Sequence, residues 1–273
     1  MNQGTDDPRI AIVGLGKLGG ILVEAFLDQG LTSPGNVRAT VHHAANAVER
    51  AQKYGIDVST DNPASVRDAD VVLLCVKPYG VGQVCEEIAP HLKDGALLMS
   101  VAASVPTAFI ESLVGERPVI RAMPNTPAVI GRGMTGISTG RFANSEHLEV
   151  AERLFNAIGR SVVLDEKHMD AVTGLSASGP AFIYVVLESL AEAGVKVGLP
   201  RDVATLLASQ CTLGAADMVL QSGNHPALLK DAVTTPAGCT IDGLLELEEG
   251  GLRVTLIKAV VKATERAAEL WEE

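Results

Sequence analysis

The stretch Ile10-Ala-Ile-Val-Gly-Leu-Gly-Lys-Leu-Gly19 decides the fold. Residues 10–13 form a short apolar, β-branched run, the pattern of a buried strand. Gly14-x-Gly16-x-x-Gly19 follows at once and opens a helix expected over residues 19–29. In that context each glycine has a distinct use. Gly14 permits the tight turn, Gly16 lets the backbone approach a pyrophosphate, and Gly19 lets the helix pack closely on the strand. The segment reads as a dinucleotide-binding turn.

The same alternation continues downstream. Strands are expected at residues 37–41, 70–76, 96–100, 118–122, 136–139 and 161–164, with helices at 44–54, 81–89 and 146–157. The run at 70–76 is continuously apolar, as in a parallel strand buried on both faces. The fold class is therefore α/β: a Rossmann-type, doubly wound parallel sheet over residues 1–165, with ligands at the carboxyl ends of its strands. Beyond about Asp165 no strand pattern remains. Helices are expected at 167–173, 179–197, 201–222, 225–233, 240–249 and 252–271, an all-helical domain over residues 166–273. The helices at 179–197 and 201–222 are apolar on more than one face, so they are expected to bury surface between subunits.

Composition narrows the function. A formal net charge of −11 argues against nucleic acid, whose backbone calls for clustered Lys and Arg. It does not forbid a small anion, which a local nest of N–H groups can hold. Cys75, Cys85, Cys211 and Cys239 show no paired spacing and read as reduced thiols. The polar N-terminal segment Met1-Asn-Gln-Gly-Thr-Asp-Asp-Pro is not expected to be a signal peptide. No apolar run is expected to approach the roughly 20 residues of a membrane span. A cytoplasmic location without membrane contact is the expectation.

Several motifs carry candidate chemistry. NAD-binding turns usually place Asp or Glu at the end of the second strand, to bond the ribose 2′-hydroxyl. Here the chain reads Val41-His-His-Ala-Ala, with Arg38 nearby, which favours NADP while leaving NAD possible. His42 and His43 are otherwise solvated loop residues. Cys75-Val-Lys77-Pro78 ends the central strand, and Pro78 biases Lys77 toward an extended backbone. Lys77 is either a catalytic ammonium or part of a backbone wall for the cofactor. Asn125, in Met123-Pro-Asn-Thr-Pro127, either reaches a ligand or caps its own turn. Leu175-Ser-Ala-Ser178-Gly-Pro180 begins a long helix whose start favours an anion or a nicotinamide carboxamide, and Ser178 can also cap it. The run Asp231-Ala-Val-Thr-Thr-Pro-Ala-Gly-Cys-Thr240 offers N–H groups and a threonine hydroxyl to a small anion. A dinucleotide turn together with such a loop suggests a reductase. There is no triad spacing, no metal-ligand cluster and no Walker lysine, so no metal is expected.

Taken together these residues resemble the Δ1-pyrroline-5-carboxylate reductase family. The resemblance runs through GLGKLG at 14–19, CVKP at 75–78, RAMPNTPAVIGRGMTG at 121–136, DAVTGLSASGPAF at 170–182 and AEAGVKVGLPRDVA at 191–204. Its most specific block is HPALLKDAVTTPAGCTIDGLLELEEGGLR at 225–253. The resemblance implies reduction of the cyclic imine 1-pyrroline-5-carboxylate to L-proline. It also implies a homodimer intertwined through the helical domain, with the active site where one subunit's Rossmann domain meets the helical dimer, and larger rings of dimers.

By position, the resemblance puts Gly14, Leu15, Gly16, Lys17 and Leu18 at the pyrophosphate, His43 at the 2′-phosphate and Asn62 near the adenosine. Cys75, Val76, Lys77 and Pro78, with Val101, Ala102 and Ala103, would line the ribose and nicotinamide. The substrate carboxylate would rest on the N–H groups of Gly238, Cys239 and Thr240. Thr240 is the catalytic candidate, its hydroxyl on the ring nitrogen, and Glu166 would lie close to the substrate. Direct hydride transfer to the imine carbon follows, with positioning as the main source of catalysis. The chain departs from the family in two places. Pro236 is followed by Ala237 rather than glycine, where an ordinary backbone is the expectation, and His42-His43 replaces more usual residues.

Three rival readings follow. A β-hydroxyacid dehydrogenase usually carries a lysine on the helix after its second-domain glycine motif, and residues 179–195 contain none. A reductase of another cyclic imine shares every motif. A non-catalytic NADP-binding regulator has no need of the substrate loop.

Overall fold

The computed structural model describes residues 7–270. Most of the N-terminal segment and Trp271, the expected end of the last helix, lie outside them. Two compact units are present. One takes the chain up to Ala177 and resumes at Ala263; the other is Ser178–Lys262.

The first unit is built on one sheet in the order β3-β2-β1-β4-β5-β6-β7-β8. Its strands are β1 (Ile10–Val13), β2 (Val37–Thr40), β3 (Asp57–Ser59), β4 (Val71–Leu74), β5 (Leu97–Ser100), β6 (Val119–Met123), β7 (Gly133–Thr139) and β8 (Gly159–Val163). Between them run α1 (Lys17–Asp28), α2 (Ala44–Tyr54), α3 (Asn62–Val66), α4 (Val81–Ile88), α5 (Thr107–Val114) and α6 (Ser145–Asn156). The chain winds outward from β1 to β3, then returns to lay β4 against the other edge of β1. That reversal opens a crevice beyond the carboxyl ends of β1 and β4. Alternate residues of each central strand serve opposite cores. Ile10, Ile12, Leu73 and Met99 enter one, while Ala11, Val13, Leu74 and Leu98 enter the other. Both faces are covered, so β1, β4 and β5 are apolar without alternation.

The sheet is not wholly parallel. β7 runs antiparallel to β6. Only a turn with the 3-10 segment Thr126–Ile130 joins them, and a short connection returns a chain antiparallel. The crossover through α6 then makes β8 parallel to β7.

After β8 come a 3-10 turn (Glu166–His168), α7 (Met169–Val172) and a π turn (Thr173–Ala177). The second unit contains α8 (Gly179–Lys196), α9 (Arg201–Ser222), α10 (Pro226–Ala232), α11 (Cys239–Glu249) and the first part of α12 (Leu252–Glu269). α8 and α9 approach so closely that a Cβ on Gly194 would sit 2.8 Å from the Ala204 methyl. Within this unit only Ala191, Ala204 and Ala208 are buried hydrophobic residues, while Tyr184, Leu206, Leu207 and Leu245 are exposed.

The membrane expectation needs correcting on one point. Glu166–Lys196 and Arg201–Ser222 are helical stretches long and apolar enough, by length and composition, to span a bilayer. Isolated residues such as Glu188 and Ser209 interrupt these segments, which stay apolar on average.

Candidate active site

The dinucleotide half of the site belongs to the first unit. Gly14 has φ +96°, and a Cβ there would lie 2.9 Å from a Val76 methyl. The turn is pinned to β2, with the Leu15 N–H donating to the Thr40 carbonyl at 2.6 Å. A Cβ on Gly19 would lie 3.0 Å from the Gly14 carbonyl, whereas one on Gly16 would meet nothing within 4 Å. The space over Gly16 is open, and the first-turn N–H groups of α1 point out of a helix that cannot use them.

A cleft of about 440 Å³ lies there. Of the residues expected at the cofactor, Gly16, Lys17, Leu18, Cys75, Val76, Lys77, Pro78, Val101, Ala102 and Ala103 line it. The lining includes two lysines and no carboxylate, an anion-favouring surface on an acidic chain. Gly14 shapes the turn, and the Leu15 side chain is buried in the core instead. Lys77 has the extended backbone that Pro78 imposes, and its side chain is exposed. Burial pushes the Cys75 thiol up to about 12, so it stays neutral beside the cleft. These features fit a bound dinucleotide.

Ile21, Met123, Pro124, Thr126 and Ala177 complete the lining and were not singled out from sequence as cofactor contacts. Ile21 was legible, being one helical turn beyond Lys17 and Leu18. Ala177 lies in the Leu175–Pro180 stretch singled out from sequence, although its own methyl carries no signal. Asn125 also reaches the lining, but its side chain is engaged. Its amide donates to the Ser176 carbonyl at 3.1 Å, and its oxygen accepts from the Met134 N–H at 2.9 Å.

The residues expected at the adenosine end stand outside this cleft. His43 is the N-cap residue of α2, and its ring meets that of His42 edge-on at 4.6 Å. Asn62 opens α3 and donates to the Glu87 carboxylate at 2.9 Å. Arg38 does not join the histidines. It lies within β2, ahead of the strand's carboxyl end. Its guanidinium donates to the Ala64 carbonyl at 3.4 Å and lies 3.7 Å from Asp68.

Glu166, expected close to the substrate, has both carboxylate oxygens occupied. They accept from the Thr107 N–H at 2.8 Å and the Thr107 hydroxyl at 2.6 Å, which anchors the start of α5. Arg121, buried in β6, lies 3.6 Å from Glu166 and 3.3 Å from Asp170.

The second unit holds the anion loop. Ala237 has φ +57°, so the expectation of an ordinary backbone is wrong. The left-handed conformation there costs about 1–2 kcal/mol for a residue with a Cβ. The loop turns back on itself, the Gly238 N–H donating to the Thr235 carbonyl at 3.1 Å. That donor is therefore spent within the turn and not held open for a carboxylate. Gly238 caps α11 without a side-chain bond, which leaves the first-turn N–H groups of Cys239 and Thr240 for an external acceptor. The Thr240 hydroxyl makes no hydrogen bond among the described residues. Ser178 stands at the start of α8 and makes no side-chain capping bond.

Comparison with known proteins agrees along the chain. Residues 166–270 match the family model described as pyrroline-5-carboxylate reductase dimerisation. Residues 9–104 match that described as NADP oxidoreductase coenzyme F420-dependent. A pyrroline-5-carboxylate reductase of Glycine max is 42% identical over 261 residues, covering 96% of this chain and 95% of its own. One from Methanosarcina acetivorans is 40% identical over 266 residues, covering 97% and 98%. The solved pyrroline-5-carboxylate reductase of Coxiella burnetii superposes with a TM-score of 0.90 at 33% identity, over 96% of this chain and 98% of that one. The Plasmodium falciparum pyrroline carboxylate reductase, solved with NADP bound, gives 0.87 at 29%, over 98% and 100%. Identity at this level over almost the whole of both chains, joined to the two-unit architecture, means that the chain belongs to the pyrroline-5-carboxylate reductase family.

Proposed function

We propose that the chain reduces 1-pyrroline-5-carboxylate to L-proline, with NADPH as the preferred donor. The observation that carries this reading is the carboxylate-free, lysine-bearing cleft over the open Gly16 turn, in a member of this family. When bound there, a reduced nicotinamide supplies a hydride to the imine carbon. Gly16, Lys17 and Leu18 hold the pyrophosphate on the α1 N-terminus. Val76, Pro78, Val101, Ala102 and Ala103 shape the ring pocket and exclude water from it. His43 favours a 2′-phosphate because no carboxylate stands at the end of β2 to repel one. Asn62 supports the adenosine.

In the second unit the N–H groups of Cys239 and Thr240 grip the substrate carboxylate. The Thr240 hydroxyl orients the ring nitrogen and follows its change of charge. Ser178 adds a polar group at the α8 start, and Glu166 acts through Thr107. The protonated imine is already electrophilic, so positioning supplies most of the rate and no strong acid is needed. The exposed apolar faces of α8 and α9 form a homodimer in the cytoplasm, and dimers assemble further into rings.

The test is the initial rate of NADPH and NADH oxidation with Δ1-pyrroline-5-carboxylate, followed by absorbance. Saturable turnover with higher kcat/KM for NADPH is expected. Tight cofactor binding without turnover would reject the reaction and point to another imine or a regulatory role.

A further inference from the structure

We propose that Ser104 is a positioning residue for the dinucleotide, its hydroxyl fastening one wall of the cleft to the C-terminal helix. The inference rests on the reading of that cleft as the dinucleotide site. Val101, Ala102 and Ala103 form the wall between β5 and α5. One end of this segment is fixed by the Val101 N–H on the Leu74 carbonyl at 3.1 Å. The other is fixed by Thr107 on Glu166. Between them Ser104 is buried, at 4% exposure, with φ +65°. Its hydroxyl donates to the Ala267 carbonyl, in the last turn of α12, at 2.6 Å.

Conformation alone favours glycine at such a φ, since glycine adopts it without strain. What serine adds is the hydroxyl, and a strained residue held in place beside a ligand pocket is a mark of use. The bond joins positions 163 residues apart in the chain. Without it the wall keeps the ties at its ends and the Ala102 N–H on the Ser100 hydroxyl at 3.3 Å, but it loses its link to α12, and the cleft face it forms is less firmly fixed. Small displacements of a positioned reactant weaken both binding and rate.

The experiment compares Ser104→Gly and Ser104→Ala with the parent protein, measuring dinucleotide affinity by the fluorescence of the reduced nicotinamide, steady-state constants and Tm. Losing one buried hydrogen bond is expected to weaken dinucleotide affinity about threefold to tenfold in both variants. KM for the imine stays near the parent value. Ser104→Gly keeps its Tm, because relief of strain offsets the lost bond, while Ser104→Ala melts lower. Parental dinucleotide affinity in Ser104→Gly overturns the proposal. So does a fall in Tm with unchanged affinity and constants, which marks a purely structural residue. The affinity measurement needs no imine. A parent protein that binds the dinucleotide but fails to turn over therefore rejects the proposed reaction and leaves the Ser104 test intact; one that binds no dinucleotide rejects both.

Discussion

The two units use the same kinds of residue to opposite ends. In the sheet unit Leu73, Leu74, Leu98 and Ile120 are completely buried. In the helical unit Leu206 is 68% exposed and Tyr184 61% exposed, while the buried hydrophobic positions are three alanines. The first unit encloses its own core. The second has the composition of a core and the geometry of a surface, and its match to a dimerisation family model says what that surface is for. A single chain is thus complete as a nucleotide-binding fold and incomplete as a helical one.

The sharpest way to break this comparison is a matched pair of truncations. Leu73→Ala is expected to cost 2–5 kcal/mol in chemical denaturation. Leu206→Ala is expected to cost less than about 0.5 kcal/mol to an isolated chain, and to make Tm fall on dilution by loosening the assembly. If both variants lost the same stability at every protein concentration, the helical unit would be no different in kind from the sheet unit.

A second pair separates the units by chemistry. Gly14→Val places side-chain atoms where even a Cβ meets Val76, so dinucleotide binding is lost. On the role proposed for it, Thr240→Ala is expected to lower kcat/KM roughly 10²-fold while dinucleotide affinity stays near parental. Fluorescence titration and steady-state kinetics on both variants decide the matter, and a Thr240→Ala enzyme with parental kcat/KM rejects the assigned role.

The cysteines extend the contrast. Cys211 and Cys239, in the helical unit, are exposed; Cys85 is buried and Cys75 half-buried, both with thiols pushed up to about 12 by burial. Iodoacetamide at pH 8 should label the exposed pair and spare the other two until the chain unfolds. Because the folded state raises these two thiols from 9.0 to about 12, their share of stability is intact below pH 9 and is lost as pH climbs toward 12. Rapid labelling of Cys75 in the folded protein would contradict this.

The smallest expected effect concerns the non-glycine residues with positive φ. Among the described residues there is one in each unit, Ser104 and Ala237. Ser104 has a hydroxyl bond to show for its conformation. Ala237 has only a methyl, so Ala237→Gly should gain about 0.5 kcal/mol, strain relief slightly exceeding the added freedom of the unfolded chain. A measured loss of stability would mean the methyl makes contacts that matter.

The same contrast explains what could be read from the sequence. β1, β4 and β5 were legible because burial on both faces leaves unbroken apolar runs, and the glycine spacing placed the turn. β3 was not, because Asp57-Val-Ser59 is a short, partly exposed edge strand with no run to detect. α3 is a brief helix of five residues, too short for periodicity to declare itself, and α5, although as long as the legible α4, was not read either. β7 was read as a strand, but its antiparallel direction was hidden because direction depends on the connection. At the site, the Cys75–Pro78 wall was legible as a strand end, while Val101, Ala102 and Ala103 came only from the family resemblance. The engagement of Glu166 by Thr107 and of the Gly238 N–H by Thr235 did not, because hydrogen-bond partners 59 or three residues away leave no pattern in a single chain. The long helices were found by their apolar faces, although those faces proved to be exposed.

One unit of the molecule is discontinuous in sequence, leaving at Ala177 and resuming at Ala263. On a ribosome adding about 5–20 residues per second, the intervening segment takes roughly 4 to 17 s to emerge. Through that interval the nascent sheet exists without Ala267, so the wall carrying Ser104 has nothing to fasten to. The apolar helices appear in the same interval, before any sister chain can cover them. Fastening of that wall therefore comes only after the whole helical segment has been made, and the nascent chain is most exposed to aggregation, and most in need of a chaperone, while its apolar helices stand uncovered.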